Sequence, residues 1–267
     1  MTFIIEFNNF VFCMTGRYVK YSRRLPQTPW LVHGKYRTET SVQELICLPL
    51  LTYTRAESLK FLSSGREDVD VRMLAPGRPF AVELVNPKIT RITQHQLGCL
   101  HEEIVKKTNK IQITNELKIL AKTNLKILKQ GEISKSKSYR ALCICRKEDL
   151  NLFFINKLQT MKQFKIIQNT PVRVLHRRTL SPRERTIYEI RGRLAYPHEL
   201  NSFYQLIKGI SKRYVFIVID LKTQAGTYIK EFVHGDFGRT YPNLCYLLHT
   251  EIDLIALDVT NISVKWP

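Results

Sequence analysis

Apolar and polar residues alternate through positions 67–74, placing Val69, Val71 and Met73 on one face and Asp68, Asp70 and Arg72 on the other, the period of a half-buried strand. Helical spacing governs 115–130 instead. There Leu117, Leu120, Ala121, Leu125 and Leu128 recur beside a stripe of Lys118, Lys122, Lys126 and Lys129, with Gly131 as the stop. The lysine stripe reads as the solvated face of that helix. Another helix is expected over 42–51, and further strands over 139–145, 172–177, 187–194 and 214–221. The last of these is almost continuously apolar, which suits a central strand covered on both faces.

A turn at 223–226 leads into a short helix from about Thr227, whose Ile229, Phe232 and Val233 face inward while Lys230 and His234 share another face. Residues 17–30 interleave basic and aromatic side chains with two prolines, predicting an ordered loop or hairpin. No βαβ rhythm is present, so the chain is expected to be α+β, with a mixed, mainly antiparallel sheet. Without a Ser/Gly-rich linker or an internal repeat, 1–267 reads as one continuous domain.

Charge narrows the partner. With 42 Lys and Arg against 23 Asp and Glu in 267 residues, the formal net charge is +19. Such self-repulsion calls for a polyanion, and nucleic acid comes before an anionic membrane surface. Cys13, Cys47, Cys99, Cys143, Cys145 and Cys245 are scattered, and the one close pair lacks zinc-site spacing. They read as reduced thiols of an intracellular protein, nuclear or cytoplasmic. The apolar opening, residues 1–13, is short, carries Glu6 and has no basic flank, so it fits a strand rather than a signal peptide or membrane span.

Three segments could carry chemistry. In Gly65-Arg-Glu-Asp-Val-Asp-Val-Arg72 a carboxylate among arginines stays ionised and can act as a nucleophile. Taken alone, the same spacing fits a surface ion-pair strand. It also admits a divalent-metal site, although on a strand only Asp68 and Asp70 of the three acids could converge. Residues 222–240 read as strand, glycine turn and helix start, without the spacing of a phosphate-binding Walker loop. Residues 173–185 hold five arginines on a strand running into a loop, and arginine forks suit phosphate oxygens.

Together these stretches resemble one family: the archaeal and eukaryotic tRNA pseudouridine synthases usually called Pus ten. The resemblance rests on Arg17-Tyr, Lys20-Tyr-Ser-Arg, Leu25-Pro-Gln-Thr-Pro-Trp30, Ser64 through Arg72, Gly77-Arg-Pro-Phe-Ala81, Glu83-Leu-Val-Asn-Pro87, Lys137-Ser-Tyr139, Arg173 through Arg178, and Lys222 through Thr240. It implies a pseudouridine synthase core, a large central sheet flanked by helices and RNA-binding loops. The implied activity converts a T-loop uridine, the one numbered 55 in tRNA or its neighbour 54, to pseudouridine.

The family's catalytic aspartate lies in an Arg-x-Asp motif, which here is Arg66-Glu67-Asp68. The resemblance further implies Tyr139 and Tyr228 against the flipped base, Lys230 and Arg66 as charged partners of Asp68, and Arg17, Lys20, Arg177, Arg178 and Arg183 toward RNA. It implies no metal, no cofactor and no membrane, with the protein a monomer acting on tRNA. Family members generally carry an N-terminal RNA-binding domain, which this sequence is expected to lack. A catalytically silent RNA-binding module and a metal-dependent phosphodiesterase using Asp68 and Asp70 stand as the alternatives.

Overall fold

The computed structural model describes residues 11–128, 136–210 and 212–266. The chain divides into two compact units, Met1–Lys135 with Thr260–Pro267, and Ser136–Val259.

The first unit is built on three long strands, β1 (Val11–Lys20), β4 (Ser58–Ser63) and β5 (Arg72–Val85), with a two-residue hairpin, β2 (Leu31–Val32) and β3 (Lys35–Tyr36), after β1. β5 lies between its neighbours, antiparallel to β1 from Val11↔Val85 to Lys20↔Met73 and to β4 from Ser58↔Val85 to Ser63↔Phe80. The short β6 (Ile111–Ile113) and β7 (Lys118–Leu120) pair with β1. Met14, Phe80, Val82 and Leu84 are withdrawn from water along these strands. Burying each such side chain stabilises by roughly 1.5–3 kcal/mol.

Helix α1 (Val42–Thr54) starts where the expectation placed it, because Ser41 and Glu44 satisfy each other. The Ser41 hydroxyl accepts from Glu44 N at 3.2 Å and donates to its carboxylate at 2.7 Å. Helix α2 (Gln94–Lys106) opens on a Thr93/Gln96 capping box and buries Leu97, Leu100 and Ile104.

The second unit has strand order β12-β9-β10-β11-β8-β13. These are β8 (Ser136–Arg146), β9 (Phe164–Gln168), β10 (Arg183–Leu194), β11 (Tyr214–Gln224), β12 (Thr240–Tyr241) and β13 (Asp253–Ile262), whose last residues count with the first unit. Among the helices that join them are α3 (Leu152–Leu158), α4 (Ile229–His234) and α5 (Leu244–Leu248). β11 is central, running antiparallel to β8 from Tyr214↔Arg146 to Gln224↔Ser136 and flanked on its other side by β10. Its apolar run is buried at Phe216, Ile217, Val218, Ile219 and Leu221, as a two-sided strand requires. The α+β, mainly antiparallel class expected from the sequence is the class observed.

Three local expectations fail. Residues 66–71 are loop and turn, with strand beginning only at Arg72, because Glu67 turns inward to an ionic partner instead of alternating outward. The stretch from 115 is not one helix. Leu120, Ile119 and Lys118 pair with Cys13, Met14 and Thr15 on β1, so edge pairing overrides the local helical period. A 3-10 turn (Lys122–Asn124) follows, and Lys129 lies outside the described residues. Residues Val172–Arg177 form a 3-10 helix rather than a strand, opened by Val174 N donating to Pro171 O at 3.0 Å. Residues 1–10, expected to enter the fold as a strand, also lie outside the described set.

Candidate active site

Asp68 sits on the loop between β4 and β5, and buried charge fixes that loop from two sides. Glu67 points inward. Its carboxylate accepts from Tyr18 Oη at 3.0 and 3.1 Å and from Arg78 Nε at 2.6 Å, while Arg78 Nη1 donates to Ser64 O at 2.6 Å. Gln27 Nε2 donates to Tyr18 Oη, Ser63 Oγ and Gly65 O within 3.1 Å. Burial, with Glu67 adding to it, holds the Tyr18 hydroxyl well above its ordinary pKa, so it stays a donor.

From the other side Lys20, fully buried, donates to Leu25 O at 2.9 Å, Asp68 O at 3.2 Å and Val69 O at 2.9 Å. Burial pulls its ammonium down to about 8, opposed by the nearby Glu67 and Asp70 carboxylates. Arg23 Nη1 reaches Asp70 O at 3.1 Å, and Val71 N closes the turn on Asp68 O at 3.2 Å. The backbone of 64–71 is thus pinned, Asp68 is half-buried and Arg66 stands in solvent.

Lys20 and Arg17, expected toward RNA, donate to the protein's own backbone. Each is buried, Arg17 donating to Gly77 O and Val264 O, because strand carbonyls and the Asp68 loop need cationic donors inside. The signal for Lys20 was its placement at the inward end of β1, which the basic and aromatic interleaving of 17–30 concealed.

In the second unit Tyr139 lies on β8 opposite Leu221, on the inward face with Lys137 and Ala141, and is nearly buried. Tyr228 and Lys230 flank the start of α4, with Ile229, Phe232 and Val233 packed inward as expected. Gln168 clamps this corner. Its amide donates to Tyr228 O and accepts from Tyr228 N, both at 2.9 Å, copying a strand pairing with one side chain. Arg173 Nε donates to the buried Glu231 carboxylate at 2.6 Å, and the guanidinium lies 5.9 Å from the Tyr228 ring centre. Neither Gln168 nor Glu231 was expected from the sequence. A buried Glu in the helix and a Gln ending β9 carry no local signature.

The arginine segment divides by role. Arg183, expected toward RNA, is half-buried and bonds Thr170 Oγ1, Ser181 O and Thr179 O, which shapes the loop. Arg177 and Arg178 stand exposed at the end of the 3-10 helix. Among the described residues no group of three or more His, Cys, Asp or Glu side chains is arranged to hold a metal ion. Burial raises the thiols of Cys13, Cys47, Cys143, Cys145 and Cys245 above their ordinary range, which leaves them poor nucleophiles.

Comparison with known proteins identifies the family. The family model described as Pus10, C-terminal, matches residues 13–263. The tRNA pseudouridine synthase Pus10 of Mus musculus is 45% identical over 254 residues, covering 95% of this chain and 45% of that protein. Its Homo sapiens counterpart is 44% identical over 256 residues, with 95% and 44% covered. That of Xenopus laevis is 43% identical over 267 residues, with 98% and 47% covered. The chain therefore spans about half the length of the curated relatives it matches. A match this long, running from β1 to the end of β13 and including the pinned Asp68 loop and the Tyr228 corner, shows that the chain belongs to the Pus10 family.

Proposed function

We propose that this chain isomerises a T-loop uridine of tRNA to pseudouridine, with Asp68 as the nucleophile. Family membership supports the reaction class. The observation that carries the assignment to Asp68 is the pinned loop. Glu67 and Lys20 fix the backbone on both sides of a carboxylate that is only half-buried, the preorganisation a nucleophile on a loop requires.

Asp68 attacks the ribose C1′ as its bond to N1 breaks, the base rotates, and the bond from C1′ to the Asp68 carboxylate breaks in turn as the base displaces it. The base is rejoined through C5, which loses its proton while N1 gains one, so no atoms are exchanged overall and no oxidant is consumed. A base inside a stacked loop must first be flipped out and held. Tyr139 is the ring for that task and Tyr228 its companion, Arg66 supplies positive charge beside Asp68, and Lys230 takes the charged role that the family resemblance implies for it. Arg177 and Arg178 track phosphates, consistent with a net charge of +19. The protein acts inside the cell, as a monomer, on tRNA.

The test is a map of carbodiimide-modified uridines in tRNA incubated with the purified chain. One new stop in the T-loop is expected. A map identical to that of untreated tRNA contradicts the reading.

A further inference from the structure

Four consecutive residues after α4 take up left-handed backbone: Gly235 (φ 80°), Asp236 (49°), Phe237 (56°) and Gly238 (83°). Bonds of 3.1 Å from Gly238 N and Thr240 N to Gly235 O, and from Arg239 N to Asp236 O, close the turn. Glycine meets no penalty there and aspartate tolerates it, but a phenylalanine Cβ crowds the following carbonyl. At the tip the Phe237 side chain is 96% exposed. A lone exposed apolar residue is ordinary on a protein surface. An aromatic ring that is fully solvated and also held in strained backbone has two costs at one position, with no contribution to the core to offset them.

The turn is anchored, too. Asp236, itself buried, accepts from Val172 N at 3.1 Å, and its own N–H donates to His234 Nδ1 at 3.1 Å. Arg239 donates to Thr170 O at 3.0 and 2.7 Å, and Asn169 N returns a bond of 2.8 Å to Arg239 O. These bonds tie the tip to the segment that carries exposed Arg177 and Arg178. A rigid ring in water therefore shares one framework with cations suited to phosphates. That combination of aromatic face and basic track is how proteins hold unpaired nucleotides.

We infer that Phe237 is an RNA-contacting residue that stacks on an unpaired base of the bound RNA. This rests on the RNA reading above and adds a third ring to Tyr139 and Tyr228, on a different element from either.

The experiment compares the parent chain with Phe237→Ala, Phe237→Trp and Phe237→Asn, titrated with a tRNA transcript at several salt concentrations. Losing one base stack lowers affinity by about 5-fold to 100-fold, so Phe237→Ala and Phe237→Asn fall by that factor with an unchanged salt slope. Phe237→Trp keeps near-parent affinity, and its emission is quenched by RNA beyond any quenching of the parent. Asparagine tolerates left-handed backbone, so Phe237→Asn melts at or above the parent temperature, separating lost contact from lost fold. Parent-like affinity in Phe237→Ala overturns the inference and leaves the functional reading standing. A parent chain that does not bind the transcript overturns both.

Discussion

Glu67 Oε2 lies 2.6 Å from Arg78 Nε, with both side chains shut away from solvent, and this pair rather than a strand pleat sets the path of the chain through Asp68. Removing one partner leaves a buried charge uncompensated, at about 3–5 kcal/mol. Glu67→Ala should therefore lower the unfolding free energy by that amount, and Glu67→Gln, which keeps an acceptor for Tyr18 and Arg78, by less. Urea denaturation reads both. A loss under about 1 kcal/mol in Glu67→Ala would show that the pair does not anchor the loop.

Lys20 gives the loop a distinctive alkaline behaviour. Its native value of about 8 lies below the ordinary 10.5, so between those limits the unfolded chain binds more protons and stability rises with pH. Lys20→Met has no such proton. The parent should thus gain on the variant by up to roughly 3 kcal/mol between about pH 7 and pH 10.5. Parallel urea titrations at the two ends measure the gap, and a constant difference rules out the depressed ammonium.

Exposed Arg177 and Arg178 should behave as phosphate contacts. Replacing both by alanine should weaken tRNA binding and flatten the plot of log K against log salt by about two units, while bound tRNA still turns over. An unaltered slope in filter binding would identify the end of the 3-10 helix as a solvated turn.

Tyr139→Phe should retain more activity than Tyr139→Ala, because stacking on a base needs the ring. Single-turnover rates decide. Equal and complete loss in both variants would point to proton transfer by the hydroxyl.

What was legible in the sequence was what local pattern controls. The continuous apolar run of β11 marked a central strand, a helix was expected from residue 42, where α1 begins, and Ile229, Phe232 and Val233 marked the inner face of α4. What stayed hidden depends on partners far along the chain. Glu67 alternates like a strand residue until Tyr18 and Arg78 draw it inward. Lys118, Ile119 and Leu120 read as helix until the edge of β1 claims their backbone. The Gln168 clamp on Tyr228 spans 60 residues and leaves no trace in composition or spacing. Asp68 itself was reached through resemblance to a family, since an acid among arginines is also a common surface pattern.

The central claim is that Asp68 does the chemistry and not the binding. Asp68→Ala removes one negative charge from a basic chain, so its tRNA affinity should equal or slightly exceed that of the parent. The direct measurement is single-turnover pseudouridine formation at saturating protein, paired with filter binding on the same preparation. The account predicts no pseudouridine with affinity intact; isomerisation that persists in Asp68→Ala would contradict it.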